Sequence, residues 1–260
     1  MRVGISTACF YPNINTEDTL DIISSLGFRL CEIFLETDYE MEEKFCMKLR
    51  QKADRLGLHI YSVHGFSGAF EPFLFDRYPR RKNDMEKKFK KMCRAAEILE
   101  AECYVFHGLR NTSEKINPKE IALGMDNLIN ISKEHGVKLA WENVSWCRSN
   151  NIDFVREVTE NMKEEIKFTL DIKQAVRSGK EPMEYLEFFD DRIFNIHIND
   201  ADKNNTCLLP GQGNIDLKKI VRRVQKVNLE IPFIIEVYNE NFKSLDELSL
   251  AKKYVESLEW

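Results

Sequence analysis

The sequence predicts an α/β protein folded as a single (β/α)8 TIM barrel over residues 1–260. Three observations carry this expectation. Apolar runs of strand length alternate with amphipathic helical stretches eight times, at about 30 residues per unit. Those runs are nearly uninterrupted, as strands buried on both faces require. The first strand-to-helix turn, ACFYPNINTED, has no glycine-rich dinucleotide fingerprint, which disfavours a doubly wound open sheet.

The first strand is expected over residues 3–9. Thr16 then caps a helix with Glu17 and Asp18 in its first turn, and Gly27 stops it. LCEIFLE (30–36) reads as the second strand. Apolar residues at Met41, Phe45, Leu49, Ala53 and Leu56 share one helical face that ends at Gly57. LHIYSVH (58–64) is the third strand. An unusually long connection follows, rich in aromatics: Phe66, Phe70, Phe73, Phe75 and Tyr78. Such a segment either packs onto the barrel or serves as a lid, and the two roles are compatible.

Met85, Phe89, Met92, Ala96 and Leu99 mark the next helix, and CYVFH (103–107) the fourth strand. Asn117-Pro118 opens a helix that Gly136 closes. KLAWEN (138–143) is the fifth strand and residues 152–165 the helix after it. A short sixth strand (168–171) leads into two helical pieces around Gly179 and Pro182. IFNIHI (193–198) is the seventh strand, and Leu217, Ile220, Val221 and Val224 mark its helix. IPFIIEV (231–237) is the eighth strand. Ser244 and Glu247 have the spacing of a capping box for a last helix running nearly to Trp260.

Composition narrows the function classes. The formal net charge is -5, without a basic tail or Lys/Arg block, which argues against a nucleic-acid binder. No apolar run approaches the roughly 18–20 residues that cross a bilayer. The N-terminus does not read as a signal peptide. The seven cysteines are scattered and form no CxxC pair, so reduced thiols in a cytoplasmic protein are expected. No membrane partner is expected. A homo-oligomer is compatible with the sequence, which does not fix the number of copies.

Active sites of such barrels lie where the strand C-termini converge. Glu142, Asp171, His197 and Glu236 end strands five to eight. Clustered carboxylates repel unless a cation lies between them. Three carboxylates and an imidazole suit one divalent ion, Mn²⁺, Co²⁺, Mg²⁺ or Zn²⁺. Tyr11, Phe66, Trp141 and Trp146 are candidates for the walls of a cavity, Trp146 foremost because it follows strand five. Gly211 and Gly213 serve backbone geometry, and Asp216 caps a helix.

VHGF, VFHG, WENV, TLDIKQA, HIND, PGQGNID and IIEV, in this order and spacing, resemble the sugar phosphate isomerase/epimerase proteins of the xylose isomerase-like TIM-barrel superfamily. The resemblance spans essentially the full chain. It implies a divalent-metal-dependent isomerase or epimerase acting on a small sugar, sugar phosphate or polyol. In ketose 3-epimerases, the glutamates of strands five and eight bind the metal and move the substrate proton. By that resemblance Glu142 and Glu236 are ligands and the acid/base pair, while Asp171 and His197 are ligands. A proton removed beside a carbonyl leaves an enediolate, which a divalent cation stabilises.

The sequence departs from the family in two places. Gln174 stands where an Asp-x-x-His motif has its histidine, and can bond a substrate hydroxyl. The loop after His197 carries Asp200, Asp202 and Lys203 in place of a substrate-binding arginine, making Lys203 a substrate-binding candidate. His64 and His107 end strands three and four and are expected to contact substrate or support the ligands. In the endonuclease IV branch, histidines there bind further zinc ions. An inositol-type dehydratase, an apurinic endonuclease and a non-catalytic sugar-binding protein are the alternatives.

Overall fold

The computed structural model of the protein describes residues 1–113 and 115–258, with Ser67 described through its backbone alone. The strands are β1 (Val3–Ser6), β2 (Leu30–Leu35), β3 (His59–Gly65), β4 (Cys103–Phe106), β5 (Lys138–Glu142), β6 (Lys167–Asp171), β7 (Ile193–Ile198) and β8 (Phe233–Ile235). They pair in sequence order, all parallel, and β8 pairs back onto β1 to close a barrel. The helices are α1 (Thr16–Ser25), α2 (Glu43–Leu56), α3 (Pro79–Ile98), α4 (Pro118–Glu134), α5 (Ile152–Glu160), α6 (Ile172–Arg177), α7 (Pro182–Phe189), α8 (Leu217–Val227) and α9 (Leu245–Ser257). The expected (β/α)8 barrel is therefore present. The main core lies between the strands and the helices around them.

Several boundaries differ from the sequence expectation, each for a local reason. β1 stops at Ser6 because a 3-10 turn, Thr7–Phe10, begins there, the Ala8 N–H capped by the Ser6 hydroxyl. α1 starts at Thr16, but Asn15 occupies the cap position. The Thr16 hydroxyl instead reaches Glu40, 2.9 Å away. α3 begins at Pro79, a turn and a half before Met85, because proline fits the first helical position and the Arg-Arg-Lys stretch is solvated. The capping box at Ser244 does not form: Glu247 accepts the N–H of Lys243. α9 ends at Ser257, and Trp260 lies outside the described residues.

Two-residue alternation sets what the barrel interior contains. Leu30 is followed on the same face by Glu32, Ala140 by Glu142, Thr169 by Asp171, Asn195 by His197, and Ile234 by Glu236. All ten side chains are buried. The lower interior is mostly apolar, with Thr169 and Asn195 as polar members: Leu30, Tyr61 and Ile234 pack with Phe194, and Cys103, Val105 and Ala140 meet the same ring. Gly4 permits this closure, since a Cβ there would lie 2.7 Å from Ile234 Cδ1 and 2.9 Å from the Leu30 carbonyl. The upper interior is polar and faces the loops.

The aromatic connection after β3 packs and lines at once. It contains two 3-10 turns, Ser67–Ala69 and Glu71–Phe75. Phe70 is buried, while Phe66 is exposed above the barrel mouth. Glu71 fastens the segment to β4. Its buried carboxylate accepts the N–H groups of His107 and Gly108, both at 2.8 Å, and the Tyr104 hydroxyl. Replacing Glu71 with alanine strands these donors in the interior. A loss of about 3 kcal/mol is expected in urea unfolding; a change below about 0.5 kcal/mol would remove the anchoring role.

Candidate metal centre and substrate cavity

His197 sits at the middle of the polar interior. Its Nε2 lies 3.0 Å from Glu32 Oε2. Its Nδ1 lies 3.3 Å from Glu142 Oε1, 3.2 Å from Glu236 Oε2 and 3.8 Å from Asp171 Oδ2. The ligand atoms of Glu142, Asp171, His197 and Glu236 all fall within 4.8 Å of one another, and all four residues are buried. The structure thus brings together the four side chains singled out from the sequence. Amides hold the carboxylates in place. Asn143 bonds both the N–H and the carbonyl of Asp171, and Asn199 donates to Asp171 Oδ1 at 3.2 Å.

The electrostatics follow from burial and crowding. Burial works against ionisation of Glu142, but His107 and His197 hold its carboxyl well below the ordinary range. The same opposition at Glu236 is won by His197 and Lys173. At Asp171 burial prevails over Lys173 and raises the carboxyl. His197 is raised well above its ordinary value, since Glu236 and Glu32 outweigh its desolvation. This donor set fits a divalent cation. Hard oxygens and one imidazole converge, and Glu32 Oε1 and His64 Nδ1 are buried without a hydrogen-bond partner among the described residues.

Two side chains of this cluster were not singled out from the sequence. Glu32 projects inward from β2, bonded by the Ser62 hydroxyl at 2.7 Å and by His197. Lys173, the second residue of α6, is 3% exposed and bonds both Asp171 Oδ2 and Glu236 Oε2 through its ammonium. Each carries a visible signal: a lone carboxylate inside the apolar LCEIFL, and a lysine two residues after a strand-end aspartate.

His64 and His107 lie beside the cluster with Nε2 atoms 2.7 Å apart, and His107 Nε2 is also 2.7 Å from Glu142 Oε2. Burial, then His107, push His64 down to about 4. Burial opposes a charge on His107, but Glu142 raises it. These two histidines and Glu142 form a second set able to hold an ion.

Above the cluster opens a cavity of about 490 Å³, with His64, Glu142, Lys173 and Glu236 on its floor. Tyr11, Phe66, Trp146 and Tyr238 are among its walls, and Gln174 lines it as expected. Gln174 Oε1 accepts from the Ser145 N–H and hydroxyl. A second recess of about 600 Å³ shares Phe34, Phe66, His107 and Trp146 and adds Arg110 and Asn111.

Two expected contributors are placed elsewhere. Trp141 is 2% exposed and packs behind the cavity, where its Nε1 donates to the His107 carbonyl. A strand residue adjacent to Glu142 points to the opposite face of the sheet. Lys203 is exposed and borders a separate groove with Gly179, Pro182 and Asn214. Its loop is organised around Asp200, whose carboxylate accepts the N–H groups of Ala201, Gly211 and Ile215. Gly213 allows this, since a Cβ there would meet Asp200 Oδ1 at 2.3 Å. Asp216 caps α8 as expected.

Residues 20–260 match the xylose isomerase-like TIM barrel family. The chain belongs to that family. No curated protein matches it. Among solved structures, a D-tagatose 3-epimerase-like protein superposes with a TM-score of 0.82 at 19% identity, over 99% of this chain and 98% of the other. A 3-keto-D-glucoside 4-epimerase from E. coli gives 0.77 at 16%, covering 99% and 98%. An IOLI protein with a bound zinc atom gives 0.77 at 21%, covering 99% and 96%. At these identities the likeness is one of fold.

Glu36, at the cavity mouth, provides a test of the electrostatics. Burial and the neighbouring Glu40 raise its carboxyl to about 7. An acid raised on folding destabilises progressively as pH climbs from its unfolded value near 4.5 to its folded value near 7, and the penalty is constant above that. Glu36→Gln is therefore expected to be neutral at pH 4 and stabilising by up to about 1 kcal/mol at pH 8, after discounting for partial exposure. Urea unfolding at both pH values measures it; equal gains at both would contradict the burial argument.

Proposed function

We propose that the protein is a divalent-metal-dependent isomerase or epimerase of a ketose, sugar phosphate or related polyol. The supporting observation is the four-ligand cluster on the floor of a cavity of sugar-admitting size, with Glu142 and Glu236 facing that cavity. Exposed Tyr11, Phe66 and Trp146 offer aromatic faces to the apolar side of a sugar ring. Glu142, Asp171, His197 and Glu236 would hold the ion, which supplies a positive charge against the developing enediolate.

Glu236 takes the proton from the carbon beside the carbonyl. The electrons of that C–H bond become the enediolate double bond. Glu142, bonded to His107, returns a proton: His107 Nε2 gives one to Glu142 Oε2, and Glu142 delivers it to carbon. Delivery to the opposite face of the same carbon inverts it, while delivery to the neighbouring carbon moves the carbonyl. His64 and Gln174 line the cavity, which supports a role in binding substrate hydroxyls, and Trp146 stands edge-on to His107, 5.6 Å between ring centres. Seven buried free thiols are consistent with a reducing, cytoplasmic setting, and among the described residues no helix is long and apolar enough to cross a membrane.

A second reading draws on the set formed by His64, His107 and Glu142. Two ions side by side would suit a hydrolytic site of the endonuclease type. The net charge of -5 and Gln174 weigh against a nucleic-acid substrate.

Metal content separates the readings. About one divalent ion per chain is expected after reloading with Mn²⁺, Co²⁺, Mg²⁺ or Zn²⁺, and Glu142→Gln should lose it; two zinc ions would favour the hydrolytic reading. Glu236→Gln should lower exchange of a ketose proton with deuterated solvent by about 10³-fold. Unchanged exchange in that variant would exclude Glu236 as the base.

A further inference from the structure

We propose that Lys173 is the resident counter-cation of the metal centre: its ammonium and a divalent ion occupy the Asp171–Glu236 oxygen pair in alternation, so Lys173 sets the affinity for metal. The inference rests on the metal-dependent reading above and concerns a residue to which that reading assigns no part.

The geometry is direct. Asp171 Oδ2 and Glu236 Oε2 are the oxygens nearest His197 Nδ1 from those two residues, at 3.8 and 3.2 Å. The Lys173 ammonium bonds both of these oxygens. Both residues belong to the group whose ligand atoms lie within 4.8 Å of one another. An ion bound among the four ligands and an ammonium at bonding distance from two of them would be like charges in one small volume. Both cannot stay.

The fold also provides an exit for the displaced ammonium. Lys173 is the second residue of α6, two positions after Asp171, which caps that helix by accepting the Gln174 N–H. Its stem runs beside Tyr238, with Nζ 5.9 Å from the ring centre. Lys173, Gln174 and Tyr238 all line the 490 Å³ cavity. A flexible four-carbon stem can swing the ammonium from the carboxylate pair into that space. With metal bound, the ammonium then faces the substrate, where hydroxyl or carbonyl oxygens accept from it. With metal absent, it screens two buried carboxylates whose repulsion would otherwise open the barrel mouth. An apolar residue would do neither.

The test compares wild type with Lys173→Met and Lys173→Gln, each stripped of metal with a chelator. Mn²⁺ is titrated into each by calorimetry, and thermal unfolding is recorded with and without Mn²⁺. The neutral variants should bind Mn²⁺ about tenfold more tightly or better. Without metal they should melt below the wild type, and Mn²⁺ should raise their melting temperature by more. A variant that folds only in the presence of Mn²⁺, or binding by the variants but not by wild type, supports the proposal equally. Equal or weaker Mn²⁺ binding by both variants, with wild type still binding, overturns the alternation and leaves the metal-dependent reading standing. Absence of Mn²⁺ binding in all three overturns both.

Discussion

Four carboxylates, from Glu32, Glu142, Asp171 and Glu236, are buried together at one end of the barrel, and their mutual repulsion is the constraint around which the rest is arranged. Ionised acids out of water are tolerated only when positive charge and hydrogen-bond donors reach them. His197 reaches all four from a single ring. Ser62 and Asn199 add neutral donors, and Asn143 fixes the Asp171 backbone through its N–H and carbonyl. The cluster therefore has the chemistry that a bound cation would relieve.

The barrel separates the work of stability from the work of binding. Its lower interior is closed by Tyr61, Phe194 and Ile234 around a glycine that admits close backbone approach. Its upper interior is given to groups that would be ruinous in an ordinary core. Parallel strands make this division possible, because every strand ends at the same face, and inward residues of several strands meet there. The loop after β7 gains its shape from Asp200 and Gly213, so that most of its hydrogen bonding is internal and little of it is directed at the cavity.

The fold was legible because its signal is distributed. Eight alternations of apolar run and amphipathic stretch survive errors of a few residues at any one boundary, as at α3. The clustering of Glu142, Asp171, His197 and Glu236 was legible for a related reason: topology, once assumed, places strand ends together. Trp141 was misplaced because adjacency in sequence reverses the facing of a strand residue, and a tryptophan beside Glu142 must point away from it. Lys203 was misplaced because a polar loop can fold onto its own aspartate. Glu32 and Lys173 were passed over for a different reason. A single charge has no period, and only the closed barrel shows that the inward face of β2 and the first turn of α6 point to the same few ångströms.

Glu71 joins two parts of the molecule that have separate duties. The aromatic rim is carried by a loop, which in most proteins is free to drift in sequence and shape. Here the loop's carboxylate grips the very peptide groups from which the His107 side chain springs. Rim and imidazole therefore move as one body. A change in the loop that widened or tilted the rim for a new ligand would also re-aim the ring that touches Glu142. Of the walls around this cavity, the one that looks most easily exchanged is the one most tightly coupled to the buried cluster, whereas the opposite wall, around Tyr11 and Tyr238, lacks that tie among the described residues.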